Sequence, residues 1–175
     1  MKNVKLYIPK VEDLWFRQEC MSDPDTMNYN AGYNVSYSGY DYQTGCIDFP
    51  KETWNTWHEE KMTNPNFYYA YILDLDSKNF VGYLNFNKNP ETKKATMGIV
   101  INSKYRGMGY MRPAMGLLFE EARNKGVSCL VDTVPSSREN ALKVFFDKGF
   151  EKTEEYFWKK FNKDEKVFKI EKIIE

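Results

Sequence analysis

Apolar positions recur along this chain with two periods, and the places where one period gives way to the other mark its elements. Residues 4–8 form a short strand-like run closed by Pro9, after which Val11, Leu14, Trp15 and Met21 fall at helical spacing until Asp23-Pro24-Asp25 stops them. A second helix is predicted to start at Asp48-Phe49-Pro50, with proline in its first turn and Trp54, Trp57 and Lys61 along one face, and to end at Asn64-Pro65-Asn66. Residues 67–75 and 80–87 read as an antiparallel hairpin around the turn 76–79. A further turn at 88–92 leads to the apolar run 95–101. From Met111 the apolar residues become Met111, Ala114, Met115, Leu118 and Ala122, one helical face, with Gly126 as C-cap. Residues 129–134 form another strand. Ser136 and Glu139 have capping-box spacing before a helix carrying Ala141, Leu142, Phe145 and Phe146 and closed by Gly149, and the runs 155–161 and 166–174 make a last hairpin around 162–165.

That order is strand, two helices, three strands, helix, strand, helix, hairpin, with no repeat or linker to divide it. A chain of 175 residues fits one domain, residues 1–175, with enough core to need no staples. The 25 basic and 25 acidic residues cancel, which argues against a general nucleic-acid binder. Cys20, Cys46 and Cys129 are odd in number and lack C-x-x-C spacing, so neither a disulfide framework nor a metal site is expected. The first residues contain no secretory apolar core, and no apolar run approaches the ~20 residues that span a bilayer, so the expected setting is the cytoplasm and no membrane partner is expected. Aromatics reach 17% with 13 tyrosines. Five of these, Tyr29, Tyr33, Tyr37, Tyr40 and Tyr42, cluster among glycine, asparagine and serine in residues 28–45, which reads as an ordered loop.

The candidate chemistry lies where the period switches, at residues 102–112. If Tyr110 begins the helix, its first N–H groups have no partner inside it, and Gly107 and Gly109 let the backbone bend so that several amides aim at one anion. A phosphate suits such a cradle, built from donors at residues 106–112, and Arg106 and the helix macrodipole act in the same direction. Pro113 falls in the first turn, where its missing N–H costs nothing. A dinucleotide loop is the competing reading, because Gly107-Met108-Gly109 begins G-x-G-x-x-G and Asp132 lies about 20 residues on. It fails at Arg112, which stands where the third glycine must pack, and the chain that follows is too short for a doubly wound sheet. A Walker loop is excluded by the lack of Gly-Lys-Ser/Thr.

Arg106-Gly107-Met108-Gly109-Tyr110-Met111 resembles the acetyl-CoA signature R/Q-x-x-G-x-G/A of the GNAT acetyltransferase superfamily, with Met111 in place of the last small residue. The element order resembles that fold from end to end, and Lys148-Gly149-Phe150 matches the family's usual close to its last helix. The resemblance implies an α/β (α+β) fold: a central mixed, mostly antiparallel sheet of about six to seven strands with about four helices, whose splayed strands form a CoA cleft. It also implies that Arg106, Gly107, Met108, Gly109, Tyr110 and Met111 hold the CoA pyrophosphate and that Ile99, Val100 and Ile101 offer backbone groups to the pantetheine arm. Arg138 and Asn140, near the start of the last helix, would join the cofactor site, with a solvated surface arginine as the alternative for Arg138.

The implied activity is direct acetyl transfer from acetyl-CoA to an amine, on a small molecule or a peptide, by a monomer or homodimer. An amine with a free pKa near ~10.4 must lose its proton, and the thiolate must be stabilised or protonated. The family often supplies that proton from a tyrosine where this chain has Phe145, and no carboxylate occupies residues 95–101. Asp132, in an apolar strand beside the expected cleft, is the candidate base; Thr133 or a loop amide could instead satisfy it structurally. His58, the only histidine, is expected to be structural or solvent-exposed, with a base reaching in from the substrate side of the cleft as the alternative. Tyr33 and Tyr37 are candidate acceptor-binding residues whose faces could hold a cation, with Asp41 or Asp48 as its counter-charge; a self-packed lid is the competing reading. Phe145 also leaves open a cofactor sensor without catalysis, and the aromatic loop an interaction module on the same fold.

Overall fold

A computed structural model of the chain describes residues 2–175. Alternating burial builds its sheet. β1 (Val4–Tyr7) leads into α1 (Trp15–Ser22), α2 (Pro24–Met27) and α3 (Trp54–Met62), and these are followed by β2 (Phe67–Asp74), β3 (Phe80–Lys88) and β4 (Lys94–Ile101). Then come α4 (Met111–Asn124), β5 (Cys129–Pro135), α5 (Glu139–Asp147), β6 (Glu151–Lys160) and β7 (Lys163–Ile173). One seven-stranded sheet orders them β1-β2-β3-β4-β5-β7-β6, antiparallel throughout except for β4 with β5. The expected mixed, mostly antiparallel sheet is therefore present, with five helices rather than four because α2 is a separate turn.

Alternation along β2 separates two cores. Tyr68, Ala70 and Ile72 face α4, whose Ala114, Met115, Leu118 and Ala122 are all fully buried. Tyr69 and Tyr71 face the other way, into a cluster with Phe16 of α1 and Tyr83 of β3. Burial of each large side chain contributes about 1.5–3 kcal/mol, and most of the larger core is supplied by the sheet, α4 and α5.

Three boundaries differ from expectation. Residues 51–53 form a 3-10 turn and α3 begins only at Trp54, which is buried and donates its indole N–H to the Phe49 carbonyl, 3.2 Å away. The Ser136–Glu139 capping box does not form. Ser136 gives its N–H to the Lys166 carbonyl and Ser137 gives its hydroxyl to Glu165, so tertiary contacts with β7 claim both serines before the helix can. The last hairpin turns at Phe161 and Asn162, with φ of 49° and 60°, the two-residue turn that matches strand twist, so β7 starts at Lys163 rather than 166; β6 pairs with it from Glu151 rather than 155.

The functional consequence lies between β4 and β5. They pair over only three positions, Lys94 with Cys129, Ala95 with Leu130 and Thr96 with Val131. Beyond Thr96, β4 stays paired with β3 up to Ile101, while β5 stays paired with β7 up to Pro135. Each strand follows its antiparallel partner, and a wedge opens between them.

Candidate active site

The wedge is the mouth of a cavity of about 650 Å³, floored by Ile99, Val100 and Ile101 and bounded by the loop after β4, the start of α5, Asp132 and Asn28-Tyr29. All but one of the residues assigned to the cofactor from sequence line it: Ile99, Val100, Ile101, Arg106, Gly107, Gly109, Tyr110, Met111, Arg138 and Asn140. Met108 does not. Flanked by two glycines of positive φ, 75° at Gly107 and 86° at Gly109, it stands half exposed on the outside of the turn. A Cβ added to either glycine would meet nothing within 4 Å, so backbone conformation rather than crowding requires glycine there.

The loop's donors are divided. The N–H groups of Arg106 and Met108 are used inside the turn, on the carbonyls of Ser103 and Tyr105, so they leave the cradle expected from residues 106–112. Met111 and Arg112 open α4, where no carbonyl inside the helix can reach their N–H groups. With Gly107 and Gly109 they present the backbone donors of this corner, at the positive end of the helix dipole. The Arg106 guanidinium has a second task. Its Nε donates to the Ile101 carbonyl at 3.2 Å, Nη1 to Asp25 at 2.7 Å and Nη2 to Thr26 at 2.5 Å. Arg106 thus clamps β4 and the loop onto α2 while its charge remains on the cavity wall. Tyr110 anchors the other end: buried, it gives its hydroxyl to the Asp74 carboxylate at 2.9 Å.

Across the wedge, Asp132 is half-buried on β5 and lines the cavity. Burial pushes its carboxyl up to about 7, against the pull of the Thr133 N–H, which donates to it at 2.8 Å, and of the Arg138 charge. Arg138 is exposed at the cavity mouth, and its guanidinium, 5.2 Å over the ring of Tyr29, is lowered by the desolvation that the neighbouring wall imposes. Phe145 of α5 faces the cavity without a hydroxyl and packs edge-on against Phe150. Tyr29 was missed as a lining residue because nothing in its local sequence separates it from the four tyrosines that follow.

Those later tyrosines are elsewhere. Tyr33, Tyr37 and Asp41, assigned to the acceptor from sequence, do not line the cavity. Tyr33 forms a bridge with Lys160 and meets Trp158 edge-on, and Tyr42 meets Phe161 in the same way. Tyr37 is exposed against Tyr40. The Asp41 carboxylate accepts both the N–H and the hydroxyl of Thr44 at 2.7 Å and holds a local turn. The loop is pinned to the tip of the β6–β7 hairpin by Phe161 N–H to the Gly32 carbonyl and by the packing of Tyr33 and Tyr42 on the hairpin's rings. His58 bonds the Pro9 carbonyl at 2.9 Å and is structural. No metal-ligating cluster occurs among the described residues, and no helix among them is long and apolar enough to cross a membrane.

A phosphate-binding loop and helix set against two splayed strands define a class of CoA-dependent acyl-transfer proteins. The model of the acetyltransferase (GNAT) family matches residues 34–150, and the chain belongs to that family. It is 29% identical over 96 residues to an uncharacterized N-acetyltransferase, YycN, of Bacillus subtilis (strain 168), an alignment that spans 53% of this chain and 62% of the relative. Its fold is similar to that of a spermidine N-acetyltransferase from Vibrio cholerae solved with CoA and spermine. That match has a TM-score of 0.80 at 13% identity and covers 98% of this chain and 95% of the other. An N-acetyltransferase from Staphylococcus aureus Mu50 superposes with a TM-score of 0.75 at 18% identity over 99% of both chains.

Proposed function

We propose that this chain acetylates an amine by direct attack, with Asp132 taking the amine's proton. The observation that carries the reading is the placement of Asp132: a carboxyl on the part of β5 that has parted from β4, lining the cavity, with its pKa raised to about 7 by burial. A base with that pKa is about half ionised at neutral pH and strong enough to receive a proton as the nitrogen gains positive charge.

The cavity fits acetyl-CoA. The open corner at Gly107 and Gly109 and the N–H groups of Met111 and Arg112 would hold its pyrophosphate, the backbone of Ile99 to Ile101 its pantetheine arm, and Arg138 and Asn140 would flank the thioester end. The donor supplies a carbonyl already activated toward amines, so much of the rate comes from orientation. In the transfer an N–C bond forms as the C–S bond breaks, the amine proton passes to Asp132, and the sulfur leaves with the electron pair. Tyr29 stands beside Arg138 on the cavity wall; burial raises its phenol pKa and makes it a poor proton donor, so the sulfur would leave as a thiolate stabilised by the Arg138 charge and take its proton from solvent.

A small-molecule or peptide amine as acceptor and residues 1–175 acting as one domain belong to the same proposal, the latter supported by the single continuous sheet. A cytoplasmic setting fits three unpaired cysteines, two of them buried. The test is CoA release across a panel of amines, run beside thermal stabilisation by acetyl-CoA. Stabilisation with amine-dependent release is expected; stabilisation without release on any amine would make the chain a sensor.

A further inference from the structure

A second cavity, of about 470 Å³, opens at the far edge of the sheet where β1 stops short of β2, and it shares no lining residue with the first. β1 pairs with β2 only from Val4 with Asp74 to Tyr7 with Tyr71, so residues 67–70 of β2 run on with no strand on that side. The next bonded position would set Pro9 against Tyr69. Pro9 has no N–H to give, and its carbonyl is already bonded by the His58 ring at 2.9 Å.

Strand parity decides what the bare edge offers. Lys88 of β3 donates to the Asn66 carbonyl, and Leu75 donates to the carbonyl of Asn3, just before β1. Even-numbered residues of β2 therefore turn their main-chain groups toward β3 and odd-numbered ones toward β1. That leaves the N–H and carbonyl of Tyr69, which lines the cavity, aimed where β1 has ended and without a partner among the described residues. Phe67 adds a carbonyl, its own N–H being taken by Asn64. Main-chain groups closed off from water are costly when unpaired, so this edge is arranged for a partner.

Tyr68 points to a ligand independently. It is only 7% exposed and lines the same cavity, yet its hydroxyl has no hydrogen-bond partner among the described residues. Burial and then the Glu121 charge push the phenol up, so it remains a donor. The cavity's two sides differ. Next to Tyr68 lie Leu6 and, on α4, Glu121 and Lys125, neither in an ion pair among the described residues, with the Lys125 ammonium 5.9 Å from the Tyr68 ring. On the Tyr69 side, Met62 and Phe67 pack in its aromatic cluster. A main chain in line with β1 would set one residue opposite Tyr69 on this apolar side, and its two neighbours on the polar side.

We propose that this notch binds an extended peptide segment of a protein partner by strand addition to β2, its central apolar residue exchanging N–H and carbonyl with Tyr69 and its polar neighbours meeting the Tyr68 hydroxyl and α4. The site stands apart from the proposed acetyl transfer.

The test is NMR on the whole isotope-labelled chain, with capped tripeptides acetyl-Gln-Xaa-Gln-amide as probes, Xaa being Ala, Val, Leu or Phe. In the free protein the Tyr69 amide should exchange at least about tenfold faster than those of Ala70 and Tyr71, which the ladders hold. The probes should give saturable shifts centred on Tyr69. Methylating the central nitrogen should weaken binding at least about tenfold, because the Tyr69 carbonyl loses its donor. Tyr68→Phe should weaken the best probe about three- to tenfold and leave the thermal shift by acetyl-CoA unchanged. The assignment is overturned by a Tyr69 amide that exchanges as slowly as Ala70, by no saturable shift with any probe up to about 10 mM, or by equal binding of methylated and parent peptides. Full binding to Tyr68→Phe would overturn it as well.

Discussion

The two walls of the cavity are built differently. The donor wall, β4 with its loop and the start of α4, is one continuous stretch whose backbone does most of the work: two positive-φ glycines, a helix start and a strand edge. The opposite wall gathers Asn28 and Tyr29 from the segment after α2, Asp132 from β5, and Arg138 with Asn140 and Phe145 from the start and body of α5. A site made of consecutive backbone is encoded locally. One made of converging side chains exists only once the sheet has formed.

The largest effect that would test this contrast is on Asp132. Asp132→Asn is expected to lower kcat about 100-fold or more while acetyl-CoA still stabilises the protein; unchanged turnover would remove it as the base. In the wild type, kcat/KM should rise with pH through about 7, because the base works only after losing its proton. Stability runs the other way. A carboxyl whose folded pKa lies above its unfolded value favours folding at low pH and loses that contribution as pH rises through about 7, so Asp132→Asn should unfold at higher denaturant than wild type at pH 8, by roughly 2–4 kcal/mol. A variant no more stable at pH 8 would mean that the carboxyl is better solvated than its position implies.

Next in size is the clamp on the donor wall. Arg106→Ala removes three hydrogen bonds to carbonyls of α2 and β4, and should raise KM for acetyl-CoA about tenfold with kcat nearly held. A fall in kcat with KM unchanged would instead make Arg106 part of the transfer itself. Smaller still, Tyr110→Phe loses one bond to the buried Asp74 carboxylate and should cost about 1.5–3 kcal/mol in urea unfolding, with acetyl-CoA binding weakened only through the loop's fraying. The smallest effect is expected where sequence placed the acceptor. Tyr37→Ala and Asp41→Asn should leave kcat/KM within about twofold, since both side chains lie off the cavity; a loss of tenfold in either would return the tyrosine loop to the acceptor site.

Much of the fold was legible because it follows from period and punctuation. The strand, glycine turn and helix of residues 95–126 sit where alternation, two glycines and an i, i+3, i+4 stripe put them, and the sheet is the mixed one expected. Even in this stretch one error came from side-chain geometry: Met108 belongs to the motif as a spacer but turns outward. The Ser136 capping box failed for a related reason, since β7 offered both serines partners that no local spacing reveals. Tyr33 and Tyr37 were chosen because aromatic rings hold cations, yet the rings that hold one are Trp57, Phe49, Tyr69 and Tyr83, and the cation is Arg17.

The sequence by itself determined the order of the elements, the glycine corner before α4 and the family, because backbone conformation and helix starts depend on neighbours a few residues apart. Only the tertiary structure decided which tyrosine lines the cavity, where Asp132 lies with respect to the wedge, and that Arg17 is held among aromatic rings. Burial and charge compensation depend on residues brought together from across the chain, such as Arg17 and Tyr69, 52 positions apart; no spacing in the sequence encodes that meeting.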